Sequence, residues 1–286
     1  MTVLRHRLTW IVIAMVLTAT TLALLLRSPR KEGSFHVPDA VEARAAEAMF
    51  ARALASGDLR GSTDFELEAG QLELPAGLSL AEPNGTCTGR GAYLFRTDPA
   101  SIPVALTAPH RGADRLTGEL AGALFEEHPF AAAAWNSAPR RGGEDCPHSG
   151  DIARLPTHYL TAFSLAFAQR HPLGRVIQLH GFDHARRSSL AAAEAGMILS
   201  DGSRDPSERL LDLADCLTGA FPDTKVAVFP IASDELGATT NAQGRALRAV
   251  GFTGFSHLEL SESMRRRLMR NVEDRARLAA CFGARL

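Results

Sequence analysis

The stretch IPVALTAPHRGADRLTGELAGALFEE, residues 102–127, decides the fold. Its first half is a short apolar run with β-branched residues. Its second half places apolar side chains at helical spacing, and a Gly-containing turn joins the two. A buried strand running into a helix is the unit of an α/β sheet. The same alternation continues outward through FAAAAW, HYLTAFSLAFAQ, RVIQLHGF, PSERLLDLADCLTGAF, KVAVFPI, FSHLEL and SESMRRRLMRNVEDRARLAACF. The expected fold class is therefore α/β, a mostly parallel mixed sheet with helices on both faces. Upstream, FELEAGQLELPAG and AYLFRTD read as antiparallel or edge strands, and VEARAAEAMFARALA (41–55) as one amphipathic helix that stops near Gly57.

Before this domain stands LTWIVIAMVLTATTLALLL, Leu8 to Leu26, without a charge and long enough as a helix to span about 28 Å. It ends without an A-x-A cleavage pattern, which favours an uncleaved transmembrane anchor over a cleaved signal. The expected division is 1–31 membrane anchor or signal segment, 32–60 linker and helix, and 61–286 catalytic domain. The expected location is a membrane-anchored, extracytoplasmic (periplasmic side) domain, secreted if the segment is cleaved. Basic residues flank the segment on both sides, so charge alone does not set its orientation.

A 45% apolar fraction, 22% charged residues and a formal net charge of −1 describe an ordinary globular chain. Without a basic surplus, nucleic acid is not an expected partner. Four cysteines, Cys87, Cys146, Cys216 and Cys281, lack C-x-x-C spacing and fit either two disulfides or four buried thiols. Cys281 meeting Cys216 across two packed helices is one pairing to expect.

In α/β sheets ligands sit beyond the carboxyl ends of the strands. There the sequence places His110 after IPVALTAP, His180 after RVIQL and Glu259 after FSHL. His110 and Asp114 stand four residues apart across the turn, and His180 ends an apolar run more directly than its neighbour His184. Imidazole nitrogen and carboxylate oxygen are zinc donors, and a hydrolytic zinc keeps one position for water. His110, Asp114 and His180 are thus the expected metal ligands for Zn2+. Glu259 is the expected catalytic carboxylate, taking a proton from water and passing it to the leaving amine. Asp114 has a competing reading as helix N-cap, with Glu119 as a distant substitute ligand. Glu259 has one as an exposed residue on an edge strand, and Asn241 reads better as a cap than as a substrate contact. The chain has no G-x-S-x-G nucleophile elbow.

Four segments, APHRGADRLTGELA, WNSAPRR, VIQLHGF and SHLELSESMRR, resemble the zinc carboxypeptidase-like amidohydrolases, particularly the branch with poly-γ-glutamate hydrolase and, more distantly, formylglutamate amidohydrolase. The resemblance runs from Ile102 to Arg266 in the family's order. It implies His110, Asp114 and His180 on the metal, Glu259 as general base and acid, and Asn136 and Arg140 as binders of a substrate carboxylate. The commonest family spacing is H-x-x-E; here three residues separate the pair, and no Asn-Arg dipeptide follows. The implied activity is hydrolysis of an amide bond in a peptide-like or γ-glutamyl substrate, or in cell-wall peptide. The alternative is a catalytically silent membrane-anchored domain that binds a ligand or partner in the same cleft.

Overall fold

Strands buried on both sides must be apolar along their whole length, and Ile102–Ala108 and Phe130–Trp135 are so. In the computed structural model, residues 35–73, 76–84, 86–142, 146 and 150–284 are described. Strands β1 (Glu68–Leu72), β2 (Gly77–Ala81), β3 (Ala92–Arg96), β4 (Ile102–Ala108), β5 (Phe130–Trp135), β6 (Arg175–Phe182), β7 (Met197–Ser200), β8 (Val226–Val228) and β9 (Phe255–Ser261) join one sheet. Their order is β1-β2-β3-β5-β4-β6-β9-β7-β8. The upstream strands are antiparallel, as FELEAGQLELPAG and AYLFRTD read, and the expectation of a mostly parallel sheet is corrected at the β7–β9 pair. Strands β5, β4, β6 and β9 pair in parallel, as do β7 and β8. The β1-β2-β3-β5 side and the β7–β9 pair are antiparallel. Short connections without a crossover helix permit antiparallel pairing, and FELEAGQLELPAG is such a segment.

The helices are α1 (Ala40–Ser56), α2 (Thr117–Glu127), α3 (Tyr159–Arg170), α4 (Leu190–Glu194), α5 (Glu208–Ala220), α6 (Ala242–Ala249), α7 (Glu262–Arg270) and α8 (Val272–Gly283). They cover both faces. Leu106, Ile177, Leu199 and Leu258 pack with residues of α2, α5, α7 and α8. Ala105, Val176 and Phe255 pack on the other face with α1, α3 and α6. Helix α1 starts at Asp39, whose carboxylate accepts from the backbone of Val41 and Glu42, and stops at Gly57 with φ +70°. Met49 and Phe50 are fully buried from it. At about 2 kcal/mol per buried large apolar side chain, these two offset much of the ordering cost of a turn of helix.

The cysteines form two disulfides, Cys87–Cys146 and Cys216–Cys281. The second ties α5 to α8, the pairing expected across two packed helices. The anchor expected over Leu8 to Leu26 lies outside the described residues, and among those described no helix is long and apolar enough to cross a membrane.

This topology creates a crevice. Helix α2 carries the chain from β4 to β5 on one side, whereas β6 lies on the other side of β4. A reversal of this kind leaves space beyond the carboxyl ends of the two diverging strands, here β4 and β6.

Candidate metal centre

The crevice is where His110 and His180 meet. His110 follows β4 by two residues, and His180 sits near the end of β6, directly in register with Glu259 of β9. After His110 the chain makes a tight turn in which Asp114 N–H donates to the His110 carbonyl, 2.8 Å. That turn brings the Asp114 carboxylate back over the first imidazole. Asp114 does not cap α2: the capping position is Leu116, without a side-chain bond to the helix.

Both imidazoles turn Nδ1 toward one oxygen. Asp114 Oδ2 lies 3.0 Å from His180 Nδ1 and 3.5 Å from His110 Nδ1. Each Nε2 is held from behind. His110 Nε2 lies 2.8 Å from Asp151 Oδ1, and His180 Nε2 lies 3.1 Å from Gln178 Oε1. Gln178 is in turn fixed by Asn241, whose Nδ2 donates to the same oxygen at 2.5 Å. With the single proton of each neutral ring donated from Nε2, both Nδ1 lone pairs face a carboxylate, so three acceptors converge. Acceptors in contact repel unless a cation lies among them. Two donors on a tetrahedral zinc, each at about 2.0 to 2.1 Å, stand about 3.3 Å apart. The two Nδ1–Oδ2 separations straddle that spacing, and His110 Nδ1 is buried without a hydrogen-bond partner. The donor set fits zinc.

The charges respond to this packing. Burial alone would raise the Asp114 carboxyl, but the adjoining His110 and His180 imidazoles outweigh it and hold the group far below the usual carboxylate range. Burial pulls the His180 imidazole down, partly offset by Asp114. For His110, contacts with Asp114 and Asp151 overcome burial and raise it. Glu259, between β6 and β7 rather than on an edge, is 7% exposed, and one carboxyl oxygen, Oε2, has no partner. Burial and the negative charge of Asp114 push it up to about 8.

Residues that sequence reasoning passed over complete the centre. His257 stands two residues before Glu259 on β9, with Nε2 3.8 Å from Glu259 Oε1 and its ring 4.3 Å from that of His180. Donor atoms of His110, Asp114 and His180 all lie within 4.8 Å of one another, as do those of His180, His257 and Glu259. His184 is elsewhere, its Nε2 2.8 Å from the Ala195 carbonyl oxygen.

A cleft of about 630 Å³ opens over the group, lined by Asp114, His180 and Glu259 and by Arg115, Arg140, Arg141, Arg186, Arg187 and Arg265. Arg140 is gripped by Asp151 Oδ2 through Nε and Nη2, at 3.2 and 2.7 Å. Asn136 is not among the lining residues: it is buried, and its Nδ2 donates to the Ala138 carbonyl. Of the residues expected to bind substrate, the structure brings Arg140 to the cleft and leaves Asn136 behind it.

No family model matches the chain, and no curated protein does. Solved structures similar to it include a presumed carboxypeptidase A from Shewanella denitrificans OS-217, at 13% identity and a TM-score of 0.42, over 81% of this chain and 66% of that one. The chain thus spans just under two thirds of that protein's length. Two others are N-formylglutamate amidohydrolase from Ralstonia eutropha JMP134 (14% identity, 65% and 94% covered, TM-score 0.41) and a metallo-carboxypeptidase from Burkholderia cenocepacia (12%, 87% and 68%, 0.39).

Proposed function

We propose that this chain is a zinc-dependent hydrolase of amide bonds in peptide-like, carboxylate-bearing substrates. One observation carries the reading: two imidazoles, each with Nε2 tied from behind, point Nδ1 at a single carboxylate oxygen at the switch point of the sheet. When bound, zinc supplies Lewis acidity, polarising a carbonyl and lowering the pKa of water to about 7.

The remaining work belongs to the chain's own side chains. Asp151 and Gln178 hold the rings with their lone pairs inward, the role that outer carboxylates and amides play around metals. Glu259 is held in register beside His180, so a proton taken at its carboxyl from attacking water is within reach of the leaving amine. A carboxyl pushed up by burial ionises when a dication stands beside it, which suits a group that must first accept and then release a proton. Six arginines in the cleft wall favour an anionic substrate. The apolar Leu8–Leu26 segment extends the proposal to a domain tethered at the membrane on its extracytoplasmic side, with cell-wall peptide or γ-glutamyl material as substrate.

Elemental analysis of the purified full-length chain, with an assay of amine release from γ-glutamyl and α-linked peptides, tests the reading. About one zinc per chain and metal-dependent release are expected. A chain unable to take up zinc would overturn it, and zinc without turnover on any such peptide would leave a binding domain instead.

A further inference from the structure

Among the arginines of the cleft, Arg140 is already engaged by Asp151, Arg187 lies 3.2 Å from Glu235 and Arg186 3.7 Å from Asp183. Arg265 differs. It projects from α7 into the same cleft, only 6% exposed, yet among the described residues no carboxylate lies within 4.0 Å of it. Its Nη1 donates to the Leu260 carbonyl, and its Nε is buried without any partner. The edge left over is the one formed by Nε and Nη2, whose two parallel N–H groups match the oxygens of a carboxylate.

The surroundings make room for this guanidinium. It lies against the backbone of Gly181, where any Cβ would collide with Nη1 and the central carbon. Gly181 separates His180 from Phe182 on β6, so the guanidinium rests one residue from the proposed metal ligand. Burying a charge this deeply is costly without a counter-charge. Asp114, Glu259 and Glu262 act on it from a distance. None grips it, and the uncommitted edge remains beside the metal centre.

We propose that Arg265, through Nε and Nη2, binds a carboxylate of the substrate and sets the preference for acidic substrates. This rests on the hydrolase reading above, and it moves the carboxylate-binding role from Arg140 to α7. Gly181 is part of the device, because only glycine lets the guanidinium lie flat on β6.

Isothermal titration of the full-length chain with N-acetyl-L-glutamate and with its uncharged diamide, as purified and after dialysis against a chelator, tests the assignment. The unaltered protein should prefer the acid. Arg265→Met should weaken acid binding by about tenfold or more while leaving the diamide unmoved, so that the preference collapses. Arg265→Lys, which keeps charge but not the fork, should lose about threefold. Gly181→Ala, which displaces the guanidinium and leaves its charge in place, should also reduce the preference; it carries the test if Arg265→Met fails to fold. A preference that survives in Arg265→Met or in Gly181→Ala, an equal loss for acid and diamide, or no preference in the unaltered protein overturns the proposal. Zinc content on the same samples separates the two readings: a collapsed preference without zinc spares Arg265 and sinks the metal, and zinc with an unchanged preference does the reverse.

Discussion

Nε2 of His110 lies 2.8 Å from Oδ1 of Asp151, a carboxylate whose other oxygen is held by Arg140. Asp151 is kept ionised: burial would raise it, but His110 and Arg140 outweigh burial and hold it far below the usual range. An ionised acceptor behind Nε2 fixes the tautomer and makes Nδ1 the more basic donor. Asp151→Asn is therefore expected to weaken zinc binding by about 10- to 100-fold. Competition against a chromogenic chelator measures it, and an affinity equal to that of the unaltered chain would remove Asp151 from the centre.

Glu259 faces His180 across the β6–β9 pairing, and its carboxyl makes no hydrogen bond that a glutamine would lose. Glu259→Gln should fold, bind zinc as before and lose turnover by about 10²- to 10⁴-fold, the usual worth of a general base. Zinc stoichiometry and the rate of amine release, measured on one preparation, check both halves. Retained turnover would return Glu259 to a structural role.

Much of this centre was legible because strand ends in an α/β alternation are few, and His110, His180 and Glu259 stand at three of them. His257 was legible too. In a strand, side chains two apart share a face, so a site at Glu259 implies one at His257 in FSHLELS. Asp151 could be placed in the loop bordering the site but not aimed at it, since it comes 41 residues after His110 in a polar stretch with no periodicity. Arg265 was hidden by its setting among MRRR, where a solvated helix face is the ordinary expectation; the depth of Gly181 behind it is a fact of packing alone. The antiparallel β7–β9 pairing escaped because short apolar runs do not state their direction.

The Cys216–Cys281 bridge closes 65 residues and joins α5 to α8, two helices on the face that carries α2 and α7. Constraining so long a loop in the unfolded chain is worth about 2–4 kcal/mol. Cys216→Ser is expected to lower stability to denaturant by that amount with little change in zinc affinity, because neither cysteine touches the centre. A chain equally stable with and without reductant would show that the bridge is not formed in solution.

His158 lies far from solvent under Phe35, where its Nδ1 accepts from Leu160 N–H at the start of α3. Burial pulls its imidazole down from 6.5 to about 4. Between those values the unfolded chain binds a proton that the folded chain refuses, so stability rises with pH across that window. The contribution is fully present above 6.5 and is lost as pH falls toward 4, on the order of 3 kcal/mol in all. Asparagine accepts at a helix N-cap and does not titrate. His158→Asn should therefore leave a shallower dependence of unfolding free energy on pH between 4 and 6.5, while costing some stability at neutral pH for the packing it removes. Denaturant unfolding of both proteins across that range reads the difference, and parallel slopes would mean that His158 is protonated in the folded chain as readily as in the unfolded one.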